Sequence, residues 1–469
     1  MSRASEYRDG RVSLRQLGYD KSALSLDLAK YLTDHPDVLV KRTDLKRINR
    51  GTLFDVYRLT LEGRRERDME KVTESLVAKV YTGNGASTDF SGFYDQRKDL
   101  LEYETTVAMY MTDYVPRYFS HNKKVLIVED LGGNTLEDIL LNVKALRLSY
   151  PNPNEPQDSN DLEKLLSNLV TRLAGFHEEL DTVIENNKFK RSPTYPNYVD
   201  KFELYVNEIL EDKYDGDRPL NRSERRIIRE AFAPLAEILA NGTITGDAFS
   251  NGPIHQDCHP AHIFYDDKLN ASFIDYKPRR GPVQFDLVDC LVNPPVFSSV
   301  KNSDEAIEAL LIEYMNEKVK LANKRLGNKT ENGIHLSEDV INDSIGVKKV
   351  SRVYRDFRAA SKGCSIRRKR PEIYRQYVAR NWVYPDYQSW HVDDGIETCD
   401  NLASNGSKYG LRNGELRALA TLTAKLSRMF GSYVGKKEVI TQKLGINEED
   451  KIDITSKFAN NESKNRLLA

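Results

Sequence analysis

The residues best suited to chemistry lie in one short segment, residues 253–290. Within it, Asp257 lies between two histidines in a compact polar loop, and Asp275 ends an apolar run with the character of a strand. Phosphoryl transfer uses two carboxylates of this kind, because one holds a hydroxyl nucleophile in line with the γ-phosphorus and the other fixes the Mg²⁺ that screens the triphosphate. The segment therefore predicts two acids that meet at neighbouring strand ends, although a single aspartate in a loop is more often a turn or cap residue.

The whole segment is more specific than either aspartate. Its motifs follow one another as His255-Gln256-Asp257, Ile274-Asp275, Gly281 and Asp286-Leu287-Val288. In order, spacing and strand context they resemble the HxDxxxxN, ID and Gly…DLA/DLV signature of the aminoglycoside phosphotransferase and choline kinase family. The resemblance implies an α+β, two-lobed protein-kinase-like fold, with a β-rich N-lobe, a mainly helical C-lobe and extra C-terminal helices. It also implies ATP and Mg²⁺ as cofactors.

The resemblance assigns roles residue by residue. Asp257 would be the catalytic base, and Asp275 would be the principal Mg²⁺ ligand. Asp286 would be a structural acid that braces the catalytic loop, with His255 in support, and Asp289 would support the same turn.

One position departs from the family pattern. His262 stands where the family usually has an asparagine whose amide oxygen holds a metal. Imidazole is a poor first choice for Mg²⁺, which prefers oxygen ligands. The same substitution appears in the lipopolysaccharide-core heptose kinases, whose loop HRDCYxCHF is similar to this one. The histidine therefore does not imply an inactive enzyme. His262 is therefore expected either to contact metal or phosphate, or to hydrogen-bond Asp257.

A nucleotide site also needs a cation on the first lobe. Lys79 lies in the strand-like run Leu76–Val80, which resembles the VAxK strand whose lysine grips the α- and β-phosphates. Glu104 would pair with it, whereas Glu102 would point to another side of the helix. The alternatives are a strand lysine that reaches into water and a solvated helix acid.

Two further stretches of the first lobe are assigned by position. Gly51, between two predicted strands, would belong to a turn over the phosphates, and an ordinary hairpin is the alternative. The run 128–133 resembles the hinge between lobes. There the backbone groups of Glu129, Asp130 and Leu131 would read an adenine edge, and the glycines that follow would let the lobes pivot.

Strands and one helix are predicted to carry the first-lobe residues. Strands are expected around 44–48, 52–61, 75–83 and 124–131, where β-branched and aromatic residues alternate with turn signals. Residues 97–114 predict a helix in which Leu100, Tyr103, Val107 and Tyr110 share a buried face.

The later chain is mainly helical in pattern. Helices are predicted at 162–180, 198–212 and 225–242, and a surface loop at 149–160. The runs 253–255 and 271–276 predict the two arms of a small hairpin. These changes of pattern divide the chain into a leader helix at 1–40, a nucleotide-binding N-lobe at 41–131, a catalytic C-lobe at 132–335 and a helical extension at 336–469.

Composition excludes several classes of protein. Lys and Arg number 70 against 71 Asp and Glu, so the surface as a whole is not adapted to nucleic acid or to an anionic membrane. The four cysteines are scattered without a CxxC pair, which argues against a zinc knuckle or a disulfide framework. The N-terminus lacks a signal-peptide apolar region, and no uncharged run is long enough to span a bilayer. A soluble, cytoplasmic protein without a membrane partner is therefore expected.

Function is predicted at the level of reaction class. The first hypothesis is a small-molecule kinase whose acceptor is a hydroxyl of a sugar, an amino alcohol or an aminoglycoside-like compound. The alternative is a pseudokinase that acts as a nucleotide-binding scaffold, which His262 and the single glycine Gly51 motivate. A third hypothesis is an RNA or anionic-polymer partner for the basic run 367–370, although such runs are more often solvated faces. His177, on a predicted helix, is assigned no catalytic role.

Overall fold

A computed structural model of the chain shows two compact units. Unit 1 comprises the described residues of 1–133 together with 272–275, and unit 2 comprises the described residues of 134–271 and 276–469. The residues described are 38–50, 54–65, 71–81, 97–121, 125–132, 134–141, 157–186, 252–255, 257–266, 268–276, 279–281, 283–293, 300–325, 384–409 and 411–430, with isolated positions at 222, 223, 226, 296, 345, 348, 349, 352, 353, 355 and 356.

Unit 1 is built on a five-stranded antiparallel sheet. Its strands, in the spatial order β1-β2-β3-β5-β4, are β1 (Val38–Arg50), β2 (Phe54–Arg65), β3 (Lys71–Tyr81), β4 (Tyr118–His121) and β5 (Val125–Glu129). Four of them overlap the predicted strand segments. The fifth, β4, was not predicted because its four residues are too few to show a pattern.

Alternation along β3 sends its side chains to opposite faces of this sheet. Leu76, Ala78 and Val80 belong to one buried apolar cluster. Val77 packs against a second apolar cluster on the opposite face of the sheet. Lys79, two residues further along the strand, points to the same face as Val77. The sequence alternation therefore puts a lysine on the same face as a partly buried valine.

The helix α1 (Arg97–Tyr110) packs on that second face. Leu101 and Ala108 form an apolar cluster with Leu126 and Val128 of the sheet. The prediction that Tyr110 shares the buried face is wrong, because its side chain, at the last residue of the helix, is 53% exposed. The buried face continues instead to the next residue, Met111, which is fully buried.

Unit 2 is mainly helical in its described part. The helices are α2 (Leu136–Leu141), α3 (Gln157–Asn186), α4 (Gln284–Leu291), α5 (Ser303–Arg325), α6 (Tyr384–Asn405) and α7 (Asn413–Phe430). The α+β class is thus confirmed, with a β-rich unit and a mainly helical unit. The predicted loop at 149–160 is wrong in its last residues, because α3 begins at Gln157.

The long helices α3 and α5 pack against each other. On α3 the buried positions Leu166, Val170 and Leu173 recur at the spacing of one helical face. Ser167 donates a hydrogen bond of 2.6 Å to Glu313 of α5, so polar contacts at the margin fix the register of the pair.

Four short strands in the described part of the chain lie within or at the start of the segment 253–290, and a fifth comes from earlier in the chain. These are β6 (Asn134–Thr135), β7 (Gly252–Ile254), β8 (Ile263–Tyr265), β9 (Ala271–Phe273) and β10 (Arg279–Gly281). The predicted hairpin between 253–255 and 271–276 is wrong, because β7 pairs with β10. A local turn explains the difference. Asp266 accepts hydrogen bonds from the backbone N–H groups of Lys268 and Asn270 and so reverses the chain directly after β8.

The helices α6 and α7 pack together in the last described part of unit 2. They are joined by a 3₁₀ turn, Gly406–Tyr409, which begins with a buried glycine. A Cβ atom at Gly406 would lie 2.5 Å from the end of the Leu411 side chain, so a larger residue here would displace that side chain. Among the described helices, none combines the length and the apolar character that crossing a membrane requires.

Several predictions fall on residues outside the described set. These are the leader helix apart from β1, Gly51, Gln256, the loop at 149–156, the helices at 198–212 and 225–242 apart from isolated positions, and the basic run 367–370.

Candidate functional site

The first group of functional side chains lies in unit 1 and centres on Lys79. Its ammonium Nζ donates a hydrogen bond of 2.9 Å to Glu104 Oε1 on α1 and one of 3.2 Å to Asp275 Oδ1. The side chains of Lys79 and Glu104 are 10% and 2% exposed, whereas that of Asp275 is 32% exposed. Three predicted residues thus meet, and only the carboxylate of Asp275 opens appreciably to solvent.

The electrostatics of this group keep the lysine charged. Burial by itself would lower the pKa of Lys79, but the negative charges of Glu104 and Asp275 and their hydrogen bonds raise it well above its usual value. Lys79 is therefore a fixed cation, and the alternative of a strand lysine that reaches into water does not hold. Glu102, the other acid considered on α1, is exposed.

Asp275 is positioned by the backbone around it. Phe273, two residues earlier, donates its backbone N–H to the carbonyl of Tyr114 at 2.8 Å, which ties this stretch of chain to the residues after α1. Asp275 itself adopts a left-handed backbone conformation with φ of 58°. Aspartate is among the residues that tolerate this region, and such conformations cluster at functional sites because the surrounding contacts must hold them.

The predicted adenine-reading stretch is a turn held by Asp130. Its carboxylate accepts hydrogen bonds from Arg58 Nε at 2.7 Å, Ser75 Oγ at 2.5 Å and the backbone N–H of Gly132 at 3.2 Å. These hydrogen bonds lower the pKa of Asp130, against the opposing effect of burial. Gly132 has a φ of 63°, a conformation that glycine adopts without strain.

One backbone donor in this stretch is already engaged. The N–H of Glu129 donates to the carbonyl of Arg117 at 2.9 Å. Glu129 also accepts a hydrogen bond of 3.2 Å from the Arg117 N–H through its side chain.

The second group lies in unit 2 and is organised by Asp286 of α4. The Asp286 carboxylate is fully buried and accepts a hydrogen bond from His177 Nε2 at 2.8 Å and a short one from the backbone N–H of His255. The other nitrogen of His177, Nδ1, lies 2.6 Å from the Tyr314 hydroxyl of α5. A neutral imidazole satisfies this arrangement, with Nε2–H donating to the carboxylate and Nδ1 accepting from the hydroxyl.

This buried network leads directly to Asp257. The backbone N–H of Asp257 donates to His255 Nδ1 at 3.2 Å, so His255 connects the braced backbone to the loop residue. The rings of His255, Phe176 and Tyr276 pack at centroid distances between 5.9 and 6.5 Å. The loop is therefore held by the buried hydrogen-bond network of His177, Asp286 and His255, which restricts where the Asp257 side chain can lie.

The pH dependence of stability should report on this network. Burial lowers the pKa of His177 below its usual value of 6.5, although Asp286 opposes the shift. Below that value the unfolded chain binds a proton that the folded protein excludes, so stability is present above pH 6.5 and falls as the pH decreases. We expect the free energy of unfolding to fall more steeply from pH 7 to 5 in the wild type than in His177→Gln, by up to about 1.4 kcal/mol per pH unit.

Urea unfolding at several pH values measures this difference. His121→Gln, a change at an exposed histidine of unit 1, is the matched control and should keep the wild-type slope. Equal slopes in the wild type and His177→Gln would show that His177 is not held neutral.

The loop also brings three possible metal ligands close together, Asp257, His259 and His262. Their ligand atoms all lie within 4.8 Å of one another, and all three residues are partly buried. His262 Nδ1 donates to the backbone carbonyl of Asp257 at 2.9 Å. Of the two expectations for His262, the hydrogen bond to Asp257 is thus present, and its acceptor is the backbone carbonyl.

Sequence reasoning missed several members of these groups. His259 has a signal in the short D-x-H-x-x-H spacing, whereas Tyr314 has none. Asp289, for which support of the same turn remains a prediction, forms an ion pair with Arg355, far along the chain.

No protein-family model matches the chain, and no curated protein sequence matches it significantly. Among solved structures, the chain is similar to a choline kinase from Cryptosporidium parvum Iowa II, with 12% identity and a TM-score of 0.47, over 78% of this chain and 91% of that one. It is also similar to an ethanolamine kinase from Plasmodium vivax, with 13% identity and a TM-score of 0.41, over 86% of this chain and 93% of that one. At these values the similarity decides neither the substrate nor the role of any residue.

Proposed function

We propose that the chain is an ATP- and Mg²⁺-dependent phosphotransferase that moves the γ-phosphate of ATP to a hydroxyl group of a small molecule. The observation that carries the proposal is the Lys79 ammonium held between Glu104 and Asp275. A buried lysine needs only one carboxylate for charge balance. The second carboxylate, partly exposed, adds a hard oxygen ligand beside a fixed cation, which is the combination that a metal-bound triphosphate requires.

The residues of unit 1 fit a nucleotide with its metal. Lys79 would donate to phosphate oxygens, and Glu104 would keep its ammonium in place. Asp275 fits Mg²⁺ because it presents carboxylate oxygens and is 32% exposed. When bound, the metal would neutralise negative charge on the phosphates. The turn at Glu129, Asp130 and Leu131 would bind the adenine edge.

The residues of unit 2 are suited to binding the acceptor and removing its hydroxyl proton. Asp257 would hold the acceptor hydroxyl and take its proton. His255 and Asp286 would keep the loop backbone in place, since the buried Asp286 carboxylate accepts the His255 N–H and His255 in turn accepts the Asp257 N–H. His177 would act only through Asp286 and touch no substrate.

The experiment is a screen of hydroxyl-bearing metabolites with the full chain, ATP and Mg²⁺. Sugars, amino alcohols and aminoglycosides form the panel, ADP release is the first readout, and mass detection of the phosphorylated product is the second. We expect at least one acceptor to be phosphorylated by the wild type and not by Asp257→Asn. Thermal stabilisation by ATP without turnover on any acceptor would favour a nucleotide-binding scaffold, and no response to ATP at all would overturn the nucleotide site.

A further inference from the structure

The loop that carries Asp257 presents three metal-ligating side chains to one point. Asp257, His259 and His262 each offer a ligand atom, and these atoms all lie within 4.8 Å of one another. The ligands of a tetrahedral zinc ion, bound at about 2.0–2.1 Å, lie roughly 3.4 Å apart, so the separations in the structure exceed those of a bound site by at most about 1.4 Å. Two imidazole nitrogens with one carboxylate oxygen form a donor set different from the oxygen ligands that Mg²⁺ selects.

The hydrogen bond of His262 orients that ring as in a metal site. Its Nδ1–H donates to the Asp257 carbonyl at 2.9 Å, and the neutral ring then has its lone pair at Nε2. Histidines that bind metals almost always donate their other ring N–H to a carbonyl or a carboxylate, because this fixes the tautomer and the ring plane. The hydrogen-bond acceptor for Nδ1–H of His262, which a metal-bound histidine needs, is thus already present.

The backbone of the loop is also fixed. The N–H of His259 donates to the Asp257 carbonyl at 3.0 Å, and the N–H of His262 donates to the His259 carbonyl at 2.8 Å. A buried proline, Pro260, begins the 3₁₀ turn that separates the two histidines. The two rings therefore lie side by side, with centroids 3.7 Å apart.

The neighbouring thiol is not a member of the group. Cys258 is fully buried, and burial raises the pKa of its thiol well above the usual value. A buried protonated thiol neither binds metal nor reacts readily. Its side chain lies in the interior, whereas Asp257 and His259 on either side of it are only partly buried.

We propose that Asp257, His259 and His262 form a binding site for a divalent transition-metal cation of the Zn²⁺ type. Zn²⁺ takes nitrogen and oxygen ligands in this combination and leaves a fourth position to water. One consequence rests on the proposed function: because Asp257 is also the proposed base, zinc would engage its carboxylate and inhibit phosphate transfer. The binding itself does not depend on that function.

The test measures metal binding by the full chain without nucleotide. After dialysis against a chelator, Zn²⁺ is titrated calorimetrically, and Co²⁺ serves as a visible-absorption probe of imidazole ligation. We expect His259→Ala and His262→Ala each to weaken binding at least about tenfold, since loss of an orienting partner alone typically weakens metal binding 10- to 100-fold. His121→Ala, at an exposed histidine of unit 1, is the control and should bind like the wild type.

The outcomes separate this proposal from the proposed function. Circular dichroism and thermal unfolding establish that each variant is folded. Unchanged Zn²⁺ affinity in the double variant His259→Ala/His262→Ala, or no imidazole-type Co²⁺ spectrum in the wild type, overturns the metal site, whatever the kinase screen shows. Zinc binding that both histidine variants lose supports the site even if no acceptor is phosphorylated.

Discussion

Asp257→Asn should lower phosphate transfer by roughly 10²–10⁴-fold, the usual contribution of a positioned general base. The amide has nearly the size of the carboxylate but cannot take a proton from an acceptor hydroxyl. Two hydrogen bonds that hold the loop, from the Asp257 N–H to His255 and from His262 to the Asp257 carbonyl, use the backbone and are kept in this variant. Nucleotide affinity and unfolding midpoint should therefore stay close to those of the wild type.

Single-turnover kinetics with ATP and Mg²⁺ measures this effect apart from product release. Asp266→Asn is the matched control, since Asp266 is an exposed acid in the turn that follows β8 and its bonds to backbone N–H groups suit an amide oxygen as well. A rate within a few-fold of the wild type in Asp257→Asn would remove Asp257 from the role of base.

Lys79→Met should destabilise the protein and weaken nucleotide binding together. The substitution leaves Glu104, whose side chain is 2% exposed, and the partly exposed Asp275 without their shared cation. An uncompensated buried charge of this kind typically costs about 3–5 kcal/mol of unfolding free energy. The lost hydrogen bond to phosphate, worth about 1.5–3 kcal/mol for a charged pair, corresponds to roughly 10- to 150-fold weaker ATP binding.

The two effects are separated by a second substitution. Adding Glu104→Gln to Lys79→Met removes the stranded carboxylate and should recover part of the stability without recovering ATP affinity. Urea unfolding and nucleotide titration are the measurements, and Lys71→Met, at an exposed lysine of the same strand, is the control. If ATP affinity returned together with stability, Lys79 would be a structural cation and not a phosphate ligand.

Local patterns in the sequence accounted for most of unit 1. The strands β1, β2, β3 and β5 were predicted from runs of β-branched and aromatic residues, and α1 from helical spacing. Residues i and i+2 of a strand share a face, as do residues i and i+3 or i+4 of a helix, so these predictions need only neighbouring residues. The contact between Lys79 and Glu104, which the family resemblance implied, is present, and each residue lies on the buried side of its element.

Local patterns failed where an element ends or where strands choose partners. Tyr110 fits the period of α1 but lies at its last residue and is exposed. The run 253–255 has strand character, yet nothing local says that β7 pairs with β10. The turn centred on Asp266 decides the pairing, because it reverses the chain earlier than the predicted hairpin requires.

The family resemblance named Asp286 as the brace of the loop, but its partner on α3 was not foreseen. His177 was assigned no catalytic role, and the structure shows that its two ring nitrogens lie against Asp286 and Tyr314, the latter separated from it by 137 positions in the chain. Residue types and their spacing state which face of each helix is buried. They do not state which helix covers that face, because that depends on how all the apolar faces pack together at once.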